Sequence, residues 1–193
     1  MTNELKPRLM YLDVDDTLLV WTNDIGGFAA PRAAEFMHWA LEHFEVRWLT
    51  MWCPSGRLQP HGAEELSYRF NYKVSAEIFL NIHNPKMFQQ DKTVGVDFDD
   101  PRPWVWVEDG LIPTEEYLLK ANGTWNNFYK TNVTHDRRML QKTWRLLAER
   151  FNLPGGPQSP TPDTPYSIEM DIPFSLLTVD DIIAQFRPSG WTK

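Results

Sequence analysis

The sequence predicts an α/β protein with a parallel sheet of about five strands and helices on both faces. Three apolar strands are predicted at Arg8–Val14, Val46–Thr50 and Trp104–Val107, and each ends in polar or acidic residues. Stretches with helical spacing separate these strands. Such alternation indicates crossover connections, and ligands bind parallel sheets beyond the carboxyl ends of their strands.

Composition favours one acidic domain. The chain has 193 residues and a net charge of -7, with no dense Lys/Arg run, so a long nucleic acid is not expected as partner. No apolar run is long enough to cross a membrane, and the first residues lack the apolar core of a signal peptide. The single cysteine, Cys53, fits a reducing compartment, so a cytoplasmic location is expected. Composition leaves the oligomeric state open.

The first half of the chain is predicted to place one helix between two strands. Thr17–Ala30 is a connection containing Gly26-Gly27, and Pro31–Phe44 is a helix with proline in its first turn. The apolar face of this helix consists of Ala33, Phe36, Met37, Ala40, Leu41 and Phe44.

The middle of the chain contains shorter elements. Trp52–His61 contains prolines and a glycine, which indicates a loop. Gly62–Phe70 is predicted as a short helix, and Ser75–Leu80 as either a strand or a helix. Thr114 is predicted to cap a helix that extends to Ala121.

The C-terminal part is predicted to be less regular. Thr134–Phe151 has the spacing of a long amphipathic helix, followed by a proline-rich linker at Leu153–Pro165. A last strand is predicted at Tyr166–Ile172 and a closing helix at Val179–Phe186. The whole chain, 1–193, is expected to form a single domain.

The most informative residues follow the first strand. Asp13, Asp15 and Asp16 come directly after an apolar run. Burying several carboxylates costs several kcal/mol apiece unless a cation or hydrogen bonds compensate, and Mg2+ prefers oxygen ligands of this kind. The alternative is an ordinary strand-end turn, in which Asp16 or Thr17 caps the next element.

Polar residues also follow the other two strands. Thr50 ends the second strand, Glu108 and Asp109 follow the third, and Lys92 lies between them in sequence. Lys86 is the competing lysine, but it follows Asn84-Pro85 and lies farther from Glu108.

The order of these residues resembles the haloacid dehalogenase (HAD) superfamily, in its phosphatase branch. The resemblance extends from Leu9 to Asp109 and implies a Rossmann-like HAD fold. More narrowly, Trp48–Trp52, Lys92 and Arg102–Asp109 are similar to small bacterial HAD domains associated with RNA-repair proteins. The chain departs from this pattern at Asp16, where many members have glycine, although aspartate is also common there. It also departs at residues 123–165, which do not fit the pattern and are interpreted as an insertion or irregular extension of the domain.

The resemblance implies two catalytic carboxylates. Asp13 would be the nucleophile that forms an aspartyl-phosphate. Asp15 would protonate the leaving oxygen and then activate water, which contributes roughly 10²–10⁴-fold.

It also implies a metal site and a phosphate site. Mg2+ would bind Asp13, the backbone carbonyl of Asp15 and Asp109, with Glu108 bound through water or behind the direct ligands. Thr50 would hydrogen-bond a phosphoryl oxygen, and Lys92 would neutralise the phosphate.

The substrate is left open. Between Thr17 and Pro31 the chain has room for a flap and for no large cap domain, so an open site is expected. We expect a Mg2+-dependent phosphomonoester hydrolase; the alternatives are a polynucleotide-end phosphatase and a catalytically silent binding module of the same fold.

Cys53 and Trp52 lie close to Thr50 in the sequence. Cys53 and Arg57 are separated by three residues, too few for the phosphate loop of a cysteine phosphatase, so Cys53 is interpreted as a packing residue. Trp52 follows the hydroxyl residue and either stacks on a base or sugar or is structural.

Overall fold

The computed structural model describes residues 6–22 and 26–157, which form an α/β fold. Its sheet has four parallel strands, in the spatial order β4 (Glu45–Trp48), β1 (Leu9–Leu12), β5 (Trp104–Glu108) and β6 (Phe128–Lys130). The predicted parallel sheet is confirmed with four strands in the described residues. The strand predicted at Tyr166–Ile172 and the helix predicted at Val179–Phe186 lie outside them.

Helices pack on both faces of the sheet, as predicted. Within residues 6–22 and 26–157 the α-helices are α1 (Ala33–His43), α2 (Pro60–Arg69), α3 (Ala76–Asn81), α4 (Pro113–Ala121) and α5 (Met139–Phe151).

Strand β1 is buried on both faces because its side chains alternate between two apolar clusters. Met10 and Leu12 lie in the cluster that contains Phe36 of α1 and Leu147 of α5. Leu9 and Tyr11 belong to the opposite cluster, which contains Leu119 of α4. Both side chains and backbone of β1 are therefore shielded from solvent, which places the residues that follow it at the centre of the fold.

Two strand features were not predicted. The connection between β1 and α1 contains an antiparallel hairpin, β2 (Leu19–Thr22) and β3 (Gly26–Ala29). Strand β6 is three residues long and only partly buried, so it lacks the apolar run on which strand prediction depends. It lies in the segment interpreted as an irregular extension, and it forms the edge of the main sheet.

Helix boundaries differ from prediction at several places. Thr114 does not cap α4; the helix begins with Pro113, and the carboxylate of Glu115 accepts the backbone N–H of Ile112 at 2.9 Å. The Glu115 carboxylate thus pairs with a backbone N–H at the N-terminal end of α4, so the helix begins without a threonine cap. Helix α5 begins at Met139 and not at Thr134. The ambiguous segment at Ser75–Leu80 forms a helix, with Ser75 at its N-cap.

None of the helices in residues 6–22 and 26–157 has the length and apolar character needed to cross a lipid bilayer.

Candidate active site

The ends of three parallel strands bring the predicted site residues to one edge of the sheet. Leu12 is paired in register with Trp48 on one side and Val107 on the other. The next residues, Asp13 and Glu108, therefore lie at the same level, and the backbone N–H of Asp13 donates to Val107 O at 3.1 Å. A buried central strand thus delivers a carboxylate to the carboxyl edge, where ligands bind this type of sheet.

Lys92 lies between the carboxylates of two different strands. Its Nζ donates to Asp13 Oδ1 at 2.9 Å and to Glu108 Oε2 at 2.6 Å. The lysine begins a short 3-10 turn, Lys92–Gly95, and its backbone N–H is fixed by Glu115 Oε1 at 2.8 Å. The ammonium is therefore held in place by both its backbone and its side chain.

Lys86 is placed elsewhere. Its Nζ donates to Val96 O and to Asp97 Oδ1, at 3.2 and 3.1 Å. The structure thus brings Lys92, and not Lys86, to the strand ends. Asp97 is occupied by this ion pair, while Asp100 forms a bidentate pair with Arg102 at the amino edge of the sheet.

The cluster around Asp13 carries excess negative charge. Asp13 is 3% exposed and Glu108 is 2% exposed. Burial raises the pKa of Asp13, and the charge of Lys92 opposes this rise. Burial and then the Asp13 charge raise the pKa of Glu108 well above its ordinary value. For Lys92, burial lowers the pKa, but the charges of Asp13 and Glu108 outweigh it and leave the pKa raised.

The donor set fits a hard divalent cation. Asp13, Glu108 and Asp109 each offer a carboxylate oxygen, and these oxygens lie within 4.8 Å of one another. Lys92 contacts two of these three carboxylates, and a cation bound between all three would compensate the remaining negative charge. Mg2+ takes oxygen ligands and suits this set. Asn132 Nδ2 lies 3.5 Å from Asp109 Oδ2 and orients that carboxylate.

Asp16 occupies a position that favours glycine. Its φ angle is 54°, in the left-handed region that aspartate enters more easily than most residues. Its carbonyl accepts the N–H of Val133 at 2.7 Å, and its buried Oδ1 has no hydrogen-bond partner in the described residues. An aspartate at this position is therefore compatible with the backbone.

Asp15 is held by two tryptophans. Trp21 Nε1 and Trp52 Nε1 each donate to Asp15 Oδ1 at 2.9 Å. Trp21 comes from the hairpin and Trp52 from the loop after β4. Sequence reasoning considered Trp52 without this contact and missed Trp21, because neither sequence separation nor residue type indicates that the two indoles meet.

Thr50 lies at the same edge but is not shown in contact with the acidic cluster. Its side chain is fully buried, and Oγ1 accepts the backbone N–H of Trp52 at 3.4 Å. The second threonine at the site is Thr17, whose Oγ1 donates to Asp13 Oδ2 at 3.4 Å.

Cys53 is a buried neighbour of the cluster. Burial, and then the charge of Asp13, raises the pKa of its thiol to about 12. Arg57 is exposed and pairs through its backbone with His83. The cysteine is therefore held as a neutral thiol, which does not suit a nucleophile.

Comparison of the chain with models of known protein families, with curated proteins and with solved structures finds no match.

Proposed function

We propose that the protein is a Mg2+-dependent phosphomonoester hydrolase of the HAD type, acting through an aspartyl-phosphate. The observation that carries this proposal is the buried Asp13 carboxylate, which follows the central strand and is bonded to Lys92 within the Asp13–Glu108–Asp109 cluster. A carboxylate beside a fixed ammonium at this edge suits nucleophilic attack on a phosphate.

Asp13 and Asp15 have different roles in this scheme. An Asp13 oxygen attacks phosphorus, and the bond from phosphorus to the leaving oxygen breaks. Asp15 gives its proton to that oxygen, then takes a proton from the water that hydrolyses the aspartyl-phosphate. Free phosphate and the original Asp13 carboxylate result, and proton transfer of this type contributes roughly 10²–10⁴-fold.

Lys92 and Thr50 stabilise charge. The Lys92 ammonium favours the ionised form of Asp13, which attack requires, and offsets charge on the phosphoryl oxygens. In this proposal Thr50 would donate its hydroxyl proton to a phosphoryl oxygen, and its oxygen accepts the backbone N–H of Trp52.

Mg2+ would be held by Asp13, Asp109 and the backbone carbonyl of Asp15, with Glu108 behind them. When bound, the ion neutralises the repulsion between an anionic carboxylate and a phosphate dianion. Burial and the charge of Asp13 raise the pKa of Glu108. A bound cation would reduce this repulsion between the two carboxylates.

The test is phosphate release from an aryl phosphate by the wild-type protein, with Mg2+ and with a chelator. Activity should require Mg2+ and should be lost in Asp13→Asn. Wild-type protein that binds Mg2+ and phosphate but releases none would instead be a binding module. Activity that survives both chelation and Asp13→Asn would refute the mechanism.

A further inference from the structure

Resting on the proposed function, we propose that Trp21 and Trp52 are positioning residues that fix the carboxylate of Asp15 for proton transfer. We call these two side chains the indole pair. The inference deepens the acid/base assignment, because it explains how a carboxylate on a loop acquires one defined orientation.

The two indole N–H groups converge on one oxygen of the partly buried Asp15 carboxylate. Both indole N–H groups donate to the same oxygen, Asp15 Oδ1, at 2.9 Å each. Asp15 Oδ2 accepts no hydrogen bond from the described residues. Two donors from different elements define the direction of Oδ1, so Oδ2 is the oxygen left for the proton that moves.

Arg69 of α2 holds the indole pair together. Its guanidinium lies over the Trp21 ring at 5.1 Å and over the Trp52 ring at 5.8 Å. The same group donates to Gly27 O of the hairpin at 2.5 Å and pairs with Glu65. One arginine thus joins α2, the hairpin and the loop after β4 around Asp15.

The hairpin backbone at Gly27 packs closely against the side chains of Trp21 and Arg69. A Cβ atom at Gly27 would lie 3.0 Å from Trp21 Cε2 and 3.2 Å from Arg69 Nη1. The backbone N–H of Trp21 donates to Thr134 Oγ1 at 3.0 Å. The glycine therefore lets the strand carrying Trp21 lie against Arg69, and Thr134 fixes its backbone from the other side.

Loss of an indole N–H should therefore misplace the proton donor without removing it. Small misplacements of a reacting group cost as much as about 10²-fold in rate. The cost should fall on substrates that need protonation of the leaving oxygen. Nitrophenyl phosphate, whose leaving group is stable as an anion, should be little affected.

The experiment compares Trp21→Phe, Trp52→Phe and Asp15→Asn on an alkyl phosphate and on nitrophenyl phosphate, with Mg2+ present. Phenylalanine keeps an aromatic ring beside Arg69 and removes the N–H donor together with part of the indole ring. The ratio kcat/KM is measured because it reports the steps up to loss of the leaving group. Trp125→Phe is the matched control, since Trp125 precedes β6 at the opposite end of the sheet.

We expect kcat/KM for the alkyl phosphate to fall about 10- to 100-fold in each indole variant, and less than about threefold for nitrophenyl phosphate. In an Asp15→Asn background the same substitutions should cost nothing further, because no proton donor remains to be positioned. Trp125→Phe should match wild type on both substrates.

Two results would overturn the inference, and they are distinguishable. If Asp15→Asn shows the leaving-group dependence but the indole variants lose nothing, or lose equally on both substrates, the indole pair is structural. If Asp15→Asn itself costs the same on both substrates, the assigned role of Asp15 is wrong and the positioning role falls with it.

Discussion

Lys92 Nζ donates a 2.9 Å hydrogen bond to Asp13 Oδ1 across a sequence separation of 79 residues. The pair is largely shielded from water, since the side chains are 13% and 4% exposed. Lys92 also bonds Glu108, so this single ammonium serves two buried carboxylates from adjacent strands.

Replacing this lysine should therefore affect both activity and stability. In Lys92→Met, phosphatase activity should fall by about 10²–10³-fold, because a fixed positive group at the reacting phosphate is lost. The free energy of unfolding without metal should fall by about 3–5 kcal/mol, because two buried carboxylates lose their cationic partner. Steady-state kinetics and urea unfolding in a chelator measure the two effects.

Lys86→Met is the control for Lys92→Met. Its ammonium pairs with Asp97 at the surface, so the substitution should leave activity close to wild type. Full activity in Lys92→Met, or an equal loss in both variants, would contradict the placement of Lys92 at the reacting phosphate.

Mg2+ should stabilise the folded protein through Asp109. Because the ion binds the folded state, Mg2+ at 100 times its dissociation constant should add about 2.7 kcal/mol to the free energy of unfolding. Thermal unfolding with Mg2+ and with a chelator measures this shift. Asp109→Asn should reduce it strongly, whereas Asp99→Asn, at an exposed aspartate, should not. An unchanged shift in Asp109→Asn would place the ion elsewhere.

Cys53 should be inert. Its pKa of about 12, against an ordinary value of 9.0, corresponds to about 10³-fold less thiolate at neutral pH. A thiol-specific alkylating reagent should therefore modify the native protein far more slowly than the urea-unfolded protein, and Cys53→Ala should keep its Mg2+-dependent activity. Rapid modification of native protein with loss of activity would favour cysteine chemistry.

The central part of the fold could be predicted because its signals are local. Strands β1 and β5 are apolar runs that lead directly into acidic residues, and β4 places Val46 and Trp48 just before Leu49 and Thr50. Strand β6 could not be predicted, because two half-buried residues and one exposed residue carry no periodic signal and the strand is specified by its partner β5.

The site residues that could be predicted also have local signals. Asp13, Glu108 and Asp109 could be predicted because they directly follow strands, and Lys92 because of its place in the sequence order of the site residues. Trp21, Arg69 and Asn132 were missed because their contacts are tertiary. The hairpin that carries Trp21 has no apolar alternation strong enough to distinguish it from a loop, so its position over Asp15 could not be inferred.

The amino edge of the sheet should make stability depend on acid pH. Hydrogen bonds from Arg102 lower the pKa of Asp100 to about 2, from an ordinary value of 3.8. A depressed carboxyl pKa adds stability that is complete above the unfolded pKa and is lost as pH falls through the folded pKa. The stability difference between wild type and Asp100→Asn should thus be constant from neutral pH to about pH 5 and shrink toward pH 2.

Urea unfolding at a series of pH values measures the contribution of Asp100. Asp99→Asn is the charge-matched control, since it removes the same formal charge without breaking the bidentate pair with Arg102. A difference between wild type and Asp100→Asn that does not change between pH 5 and pH 2 would show that the Arg102 pair contributes nothing.

Asp13 as the acceptor of the phosphoryl group is the central claim, and acid quenching during turnover tests it most directly. With Mg2+ and an aryl phosphate, Asp15→Asn should accumulate the covalent intermediate, because the water that hydrolyses it lacks its base. Mass spectrometry of the quenched protein should then show one added phosphoryl group on the peptide containing Asp13, and none in Asp13→Asn. A phosphoryl group on another residue, or turnover by Asp13→Asn at the wild-type rate, would contradict the account.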